Sequence, residues 1–263
     1  MFEILYGRNA VYEALLAKRR RFHYLMLASG VRETDVVTRI LAQAKAQGAE
    51  IRRVARQHLD PLGGVHHQGV AAQVSPYPYA DVDSMFRLAR RRQEMPLLLI
   101  LDCLQDPQNL GTLLRTAEVV GVHGVLLPRR RAAAITPAAS NASAGAVEHL
   151  LIAQVTNLAR TMGELKDRGV WVAGLENLPE ARDYRDVDLN GPLALVVGSE
   201  GQGLRRLVRE RCDLWINLPM RGRIGSLNAS VAGSIALYDA WRQRESAQPS
   251  SDQDRRTQQD SHL

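Results

Sequence analysis

Residues 97–101 read Leu-Leu-Leu-Ile-Leu, and further short apolar runs follow at 122–127, 171–175, 193–197 and 214–218, separated by polar loops and helix-like stretches. An apolar run without alternation needs cover on both faces, which the interior of a parallel sheet between helices provides. Helical stretches at 110–120, 141–149, 157–166 and 227–241 supply that cover. The second part of the chain is therefore expected to be α/β, with a doubly wound parallel sheet. Ligands in such sheets bind beyond the carboxyl ends of the strands, so the loops after the runs are where function is sought.

The first part has a different rhythm. Val11, Ala14 and Leu15 follow helical spacing within 8–18, and a strand follows at 24–28. Val36, Val37, Ile40, Leu41 and Ala44 make a second amphipathic helix that stops near Gly48, with strands expected at 51–54 and 69–74. Residues 1–75 are thus read as a compact α/β unit. Residues 76–95 hold Pro76, Pro78, a charged helix candidate at 85–88 and Arg90, Arg91, Arg92; they are read as a linker to a domain spanning 96–245. The stretch 246–263 is Ser, Gln, Asp and Arg with almost no apolar residues. Such a composition cannot repay the entropy of ordering, so a disordered tail is expected.

Lys and Arg number 34 against 28 Asp and Glu, a net charge of +6, which suits a polyanionic partner. The tail is itself net negative, so the folded part is more basic than the total. Cys103 and Cys212 are the only cysteines, without Cys-x-x-Cys or a zinc-like Cys/His spacing. That pattern speaks against a disulfide scaffold and a structural zinc, and points to a reducing cytoplasm. His66 and His67 have no third ligand at recognisable spacing, so no metal is expected. No apolar run approaches the ~20 residues that span a bilayer, and the first residues lack the order of a secretion signal.

Three loops after apolar runs stand out. The first is Asp102-Cys103-Leu104-Gln105-Asp106-Pro107-Gln108-Asn109-Leu110-Gly111, leading into a helix with Arg115; the second is Gly198-Ser199-Glu200-Gly201-Gln202-Gly203-Leu204; the third runs from Leu218 through Pro219, Met220 and Gly222 to Ser226-Leu227-Asn228. Closely spaced glycines let backbone N–H groups approach a ligand. The second loop nevertheless matches neither the Rossmann fingerprint nor a phosphate-binding Gly-Lys-Ser/Thr loop.

Taken together, the loops resemble the SpoU (TrmH) branch of the SPOUT superfamily of RNA ribose 2'-O-methyltransferases. Asp106-Pro107-x-Asn109-x-Gly111 with Arg115-Thr116-Ala117 is similar to its first motif, and Val197-Gly198-Ser199-Glu200-Gly201-x-Gly203-Leu204 to its second. Leu218-Pro219-Met220-x-Gly222 with Ser226-Leu227-Asn228-x-Ser230-Val231-Ala232 is similar to its third. Tyr6-Gly7-x-x-Ala10-Val11 and His67-Gln68-Gly69-Val70 resemble the family's small RNA-binding domain, which extends the likeness over residues 1 to about 244. Leu218 stands where Ile is common and Ala229 where Val is common; neither change removes a polar group.

The resemblance implies a small α/β (L30e-like) RNA-binding domain followed by a trefoil-knotted methyltransferase domain with a parallel sheet. It also implies S-adenosylmethionine (SAM) as methyl donor and a homodimer as working unit. Likeness is greatest to members that methylate a guanosine ribose in the peptidyl-transferase P-loop of 23S rRNA; a tRNA substrate and an inactive RNA-binding protein are the alternatives. By resemblance Arg115 activates the ribose hydroxyl. It serves either as a base in an unusual environment or as a cation that clamps the neighbouring phosphate, since guanidinium normally stays protonated. Asn109, Glu200, Ser226 and Asn228 complete the implied catalytic set, and Gly198, Leu218, Leu227 and Met220 the SAM site. Asn109 and Asn228 are also natural helix caps. Arg129, Arg130 and Arg131, soon after a strand, are the leading RNA contacts. Lys18 to Arg21, Arg90 to Arg92, and Arg205, Arg206, Arg209 and Arg211 are further basic candidates. Aromatic residues make up only 5 %, which favours phosphate and shape recognition over a broad stacking platform.

Overall fold

A computed structural model describes residues 2–62, 67–130, 132–199, 201 and 203–247. The N-terminal part runs β1 (Glu3–Tyr6), α1 (Arg8–Ala17), β2 (Phe22–Ala28), α2 (Asp35–Ala46), β3 (Glu50–Val54) and β4 (Val70–Val74). Its sheet has the order β1-β4-β2-β3, mixed in sense, with β2 and β3 parallel and the other pairs antiparallel. Leu5, Leu25, Leu27, Val70 and Ala72 bury one face against Val11, Leu15, Val37 and Ile40 of the two helices. Pairing of Tyr6 with Ala71 brings the two N-terminal motifs together. There Arg8 donates through Nε to the Gln68 carbonyl at 3.2 Å. His67 accepts from the Gly69 N–H at Nδ1 and meets Asp60 at Nε2, so it serves the turn.

The chain continues through α3 (Val82–Arg92), β5 (Leu97–Asp102), α4 (Pro107–Val119), β6 (Gly124–Pro128), α5 (Pro137–Ala142), β7 (Ile152–Val155), α6 (Leu158–Lys166), β8 (Trp171–Leu175), β9 (Arg182–Asp183), β10 (Leu193–Gly198), α7 (Arg206–Arg209), β11 (Leu214–Asn217) and α8 (Ala229–Ala247). Seven strands form a wholly parallel sheet, β7-β6-β5-β10-β8-β11-β9. The expected α/β class is what the fold has. In β5, Leu97, Leu99 and Leu101 join the core under α4 and α8, while Leu98 and Ile100 join the core under α3 and α6. This two-sided burial is why the run has no polar positions.

Several expectations need correction. The segment read as a linker carries α3, whose Met85 is fully buried against the large sheet; it is part of that core. The helix expected over 141–149 starts earlier, at Pro137, with Thr136 as its cap, and ends at Ala142. Left-handed residues Ala144 (φ 52°) and Gly145 (φ 87°) then separate it from a 3₁₀ turn over Ala146–His149. The last helix continues through Ser246 and Ala247, where a tail was expected; the remaining tail lies outside the described residues.

The basic run after α1 has a role that charge alone did not suggest. Arg20 donates from Nε and Nη2 to the Glu148 carboxylate at 2.8 and 2.9 Å, and both side chains are fully buried. Ser140 donates to the same carboxylate at 3.0 Å, and Arg20 also reaches Glu3 at 2.6 Å. Arg19 donates to the carbonyls of Pro78, Glu148 and Leu150. The Tyr77 hydroxyl donates to the Leu150 carbonyl at 2.7 Å, and burial pushes that phenol up to about 12. Arg19 and Arg20 therefore fasten the N-terminal sheet to the unit of the seven-stranded sheet and are spent there, leaving Lys18 and Arg21 exposed.

Candidate functional site

The carboxyl ends of β8, β10 and β11 open into one cavity of about 460 Å³. β10 enters the sheet between β5 and β8, so the strand order reverses beside it, and ligand crevices form at such points. The cavity is lined by Gly198, Leu218, Met220, Ser226, Leu227 and Asn228, six of the residues singled out from the sequence.

The glycine loop closes on itself. Ser199 and Gly203 exchange backbone hydrogen bonds of 3.2 and 3.0 Å. A Cβ on Gly198 would stand 2.5 Å from the carbonyl carbon of Gly203, so this glycine makes room for its own loop as well as for anything in the cavity. The loop leaves into Arg205, which donates to Asp102 at the end of β5 from its N–H at 2.8 Å and from Nε at 2.7 Å. Asp102 is fully buried, and this pairing raises the Arg205 guanidinium further above its ordinary value.

The first and third loops meet through side chains. Asp106 caps α4 by accepting from the N–H groups of Gln108 and Asn109 at 3.1 Å, with Pro107 at the first turn. Asn228 caps α8 by accepting from Ser230 N–H at 2.9 Å. Its amide donates to Asn109 Oδ1 at 2.8 Å, across 119 residues of sequence. Ser230, 3 % exposed, hydrogen-bonds both asparagines, which locks the helix starts to each other. Thr116 and Ser234 continue the contact between α4 and α8 at 2.8 Å.

Asn109 thus stands behind the cavity wall, through Asn228. Arg115 is exposed on α4 and does not line the cavity. Arg129 and Arg130 are exposed just beyond β6, at the same end of the sheet. β6 lies two strands from β10, roughly 10 Å away by ordinary strand spacing. Glu200 and Arg131 lie outside the described residues. The basic groups at 205–211 are largely committed: Arg205 to Asp102, Arg206 to Glu210 and Arg209 to Glu176. Arg90 to Arg92 close α3 just before β5, at the end of the sheet opposite the cavity.

Reasoning from the sequence missed Glu176 and Asn177, which follow β8 and line the cavity, and Asn217 at the end of β11. The rule that directed attention to the other loops applies to 176 as well, but no glycine cluster marked it. Burial pushes the Cys212 thiol up to about 12, which leaves it protonated and unsuited to nucleophilic work at neutral pH. Among the described residues, no group of three or more His, Cys, Asp or Glu could hold a metal ion, and no helix is long and apolar enough to cross a membrane.

Comparison with known proteins gives a consistent result. Residues 96–238 match the model of the SpoU rRNA Methylase family, and residues 4–80 that for RNA 2'-O ribose methyltransferase substrate binding. The chain is 46 % identical over 238 residues to YacO of Bacillus subtilis, a protein assigned to the TrmH family of tRNA/rRNA methyltransferases, covering 90 % of this chain and 94 % of that one. A relative with the same assignment in Staphylococcus haemolyticus is 44 % identical, with 92 % and 96 % covered. Among solved structures, the SpoU methyltransferase AviRb of Streptomyces viridochromogenes, in complex with AdoMet, superimposes with a TM-score of 0.76 at 25 % identity, covering 94 % of this chain and 92 % of that one. A TrmH/SpoU tRNA modifying enzyme of A. aeolicus gives 0.54 at 31 % identity, covering 63 % of this chain and 86 % of that one.

Proposed function

We propose that this chain, which belongs to the SpoU rRNA Methylase family and is an RNA 2'-O-ribose methyltransferase, uses SAM to methylate a guanosine ribose in the peptidyl-transferase P-loop of 23S rRNA. The observation that carries the reading is the convergence of the loops after β8, β10 and β11 on one cavity at the carboxyl edge of a parallel sheet, with the first motif loop fastened behind its wall through Asn109 and Asn228. The residues present fit SAM. The volume is within the ordinary range for a cofactor site. Leu218, Leu227, Val197 and Met220 offer apolar walls for an adenine ring, and Ser199, Asn217 and Ser226 offer polar groups for the remainder. The resemblance also implies that these loops belong to a trefoil knot.

When bound, SAM supplies a methyl group on a cationic sulfonium, already activated for transfer because it departs from a neutral thioether. The chain's own task is to bring a ribose 2'-hydroxyl in line with that methyl and to ease loss of the hydroxyl proton. In this reading Asn109, held by Asn228 and Ser230, fixes the start of α4 beside the substrate, and Arg115 faces the incoming RNA. A guanidinium there clamps a phosphate and stabilises the oxygen as its proton passes to water or to that phosphate. Glu200, Ser226 and Asn228 complete the proposed catalytic set, while Arg129, Arg130 and Arg131 extend a phosphate-binding path. The N-terminal unit, matched to substrate binding, favours rRNA over the tRNA alternative; the tRNA-modifying neighbour matches a much smaller share of this chain.

A homodimer is part of the proposal. Leu227, Val231, Ile235, Tyr238 and Trp241 form a stripe leading into and along α8 that is 37–46 % exposed, and Val119 of α4 is 59 % exposed. Monomeric proteins rarely leave such a patch open. A second copy is the proposed cover because the stripe begins at Leu227, on the cavity itself, where symmetry would serve both sites. A monomer in sedimentation experiments at micromolar concentration would overturn this part.

Gly198→Val is expected to weaken SAM binding at least 10-fold by calorimetry, because its side chain would collide with the Gly203 carbonyl and force the loop open. An unchanged affinity would remove the glycine loop from the cofactor site. The whole reading is tested by transfer of labelled methyl from SAM to unmodified 23S rRNA and, separately, to unmodified tRNA, with the modified ribose mapped. Label at one guanosine of 23S rRNA is expected. Label only in tRNA would move the substrate to the alternative, and label in neither would leave an RNA-binding protein without this activity.

A further inference from the structure

Glu176 follows β8 directly and lines the cavity, yet it belongs to none of the three motif loops. Its carboxylate is 15 % exposed and is gripped on one edge by Arg209 of α7, whose Nε donates to Oε2 at 3.1 Å and whose Nη2 donates to Oε1. The bidentate grip fixes the orientation of the carboxylate and neutralises its charge. It uses two acceptor positions of a group that has about four.

The glycine loop is shaped around this carboxylate. A Cβ on Gly203 would stand 2.5 Å from Glu176 Oε1, and Gly203 also has a left-handed φ of 63°. The left-handed φ by itself favours glycine there, and the close carboxylate adds to it.

We infer that Glu176, braced by Arg209, is a cofactor-binding residue that accepts hydrogen bonds from the ribose hydroxyls of SAM. The inference rests on the cavity being the SAM site. A carboxylate already neutralised by a guanidinium has little pull on a further cation, which argues against the ammonium of the methionine part. Its remaining lone pairs suit neutral donors, and a vicinal diol presents two side by side. Arg209 is a positioning residue in this arrangement.

The test is calorimetric binding to the full chain of S-adenosylhomocysteine, its 2',3'-dideoxyribose counterpart, and 5'-methylthioadenosine, which lacks the amino-acid part. With the unaltered protein the dideoxy compound is expected to bind about 10- to 100-fold more weakly, the usual worth of two ordinary hydrogen bonds. In Glu176→Ala that ratio is expected to fall to near 1, because the acceptor is gone, while the penalty for lacking the amino-acid part stays as it was. Glu176→Gln keeps the shape and supplies the same readout if the alanine variant fails to fold; there the ratio is expected to shrink. A ratio unchanged in either folded variant overturns the assignment of Glu176 and leaves the cofactor site standing. Loss of the amino-acid penalty instead would overturn it in favour of an ammonium contact. Failure of the unaltered protein to bind S-adenosylhomocysteine would overturn the proposed function, and this inference with it.

Discussion

Arg115→Ala is expected to lower methyl transfer by about 10²- to 10⁴-fold, the range associated with losing a group that assists proton transfer or stabilises developing charge. SAM affinity is expected to stay within a factor of two, because Arg115 does not line the cavity and its backbone sits within α4, anchored by Asp106 and Leu110. The geometry makes this a sharp test. Arg115 is exposed, so truncation leaves no buried void and no orphaned charge, and any loss of rate reflects the reaction or the grip on RNA. Single-turnover transfer at saturating RNA separates the two, and Arg115→Lys separates charge from fork geometry. Paired truncation of Arg129 and Arg130 supplies the contrast: RNA affinity should fall and become less salt-sensitive, with the rate at saturation preserved. Near-normal turnover of Arg115→Ala would remove it from the mechanism.

Glu148→Ala is expected to cost about 3–5 kcal/mol of stability, because it leaves Arg20 as a buried cation that has lost its bidentate partner. For a chain of this size that corresponds to a fall in Tm of about 10 °C, read by thermal denaturation. Glu3→Ala removes the partly exposed partner of Arg20 and should cost far less. Replacing both members, as Arg20→Met with Glu148→Leu, should recover part of the loss, since a well-packed apolar pair carries no desolvation penalty. The location of the pair gives it a second consequence. Arg20 belongs to the N-terminal unit and Glu148 to the 3₁₀ turn after α5, so weakening it should loosen one sheet relative to the other and raise KM for RNA more than for SAM. A variant as stable as the parent would show the pair to be dispensable.

The basic runs show how far a sequence can be read. A run of arginines looks the same whether it is solvated, bound to RNA or folded against a carboxylate, because charge patterning carries no partner. Lys18 to Arg21 and the 205–211 group were all candidates for phosphate contact. Arg19, Arg20, Arg205 and Arg209 instead end on carbonyls or carboxylates contributed by distant parts of the chain. Glu148 gave no warning, and Asp102, though it opens the first loop, gave none of its burial against Arg205, since nothing local distinguishes a carboxylate that will be buried. β1 was missed because its four residues are mostly half-exposed, and β9 because two residues leave no period to detect.

What the sequence by itself determined was whatever depends on local pattern. Apolar runs buried on both faces announced the parallel sheet, glycines and caps marked the strand-to-helix turns, and the motif loops identified six residues that line one cavity. What only the tertiary structure decided was which groups meet: Asn228 with Asn109, Glu176 with Arg209 behind Gly203, and Arg20 with Glu148 between the sheets. The reason is physical. Hydrophobic periodicity is written in neighbouring residues, whereas a hydrogen bond or ion pair between residues tens to more than a hundred positions apart exists only after the chain has closed the distance.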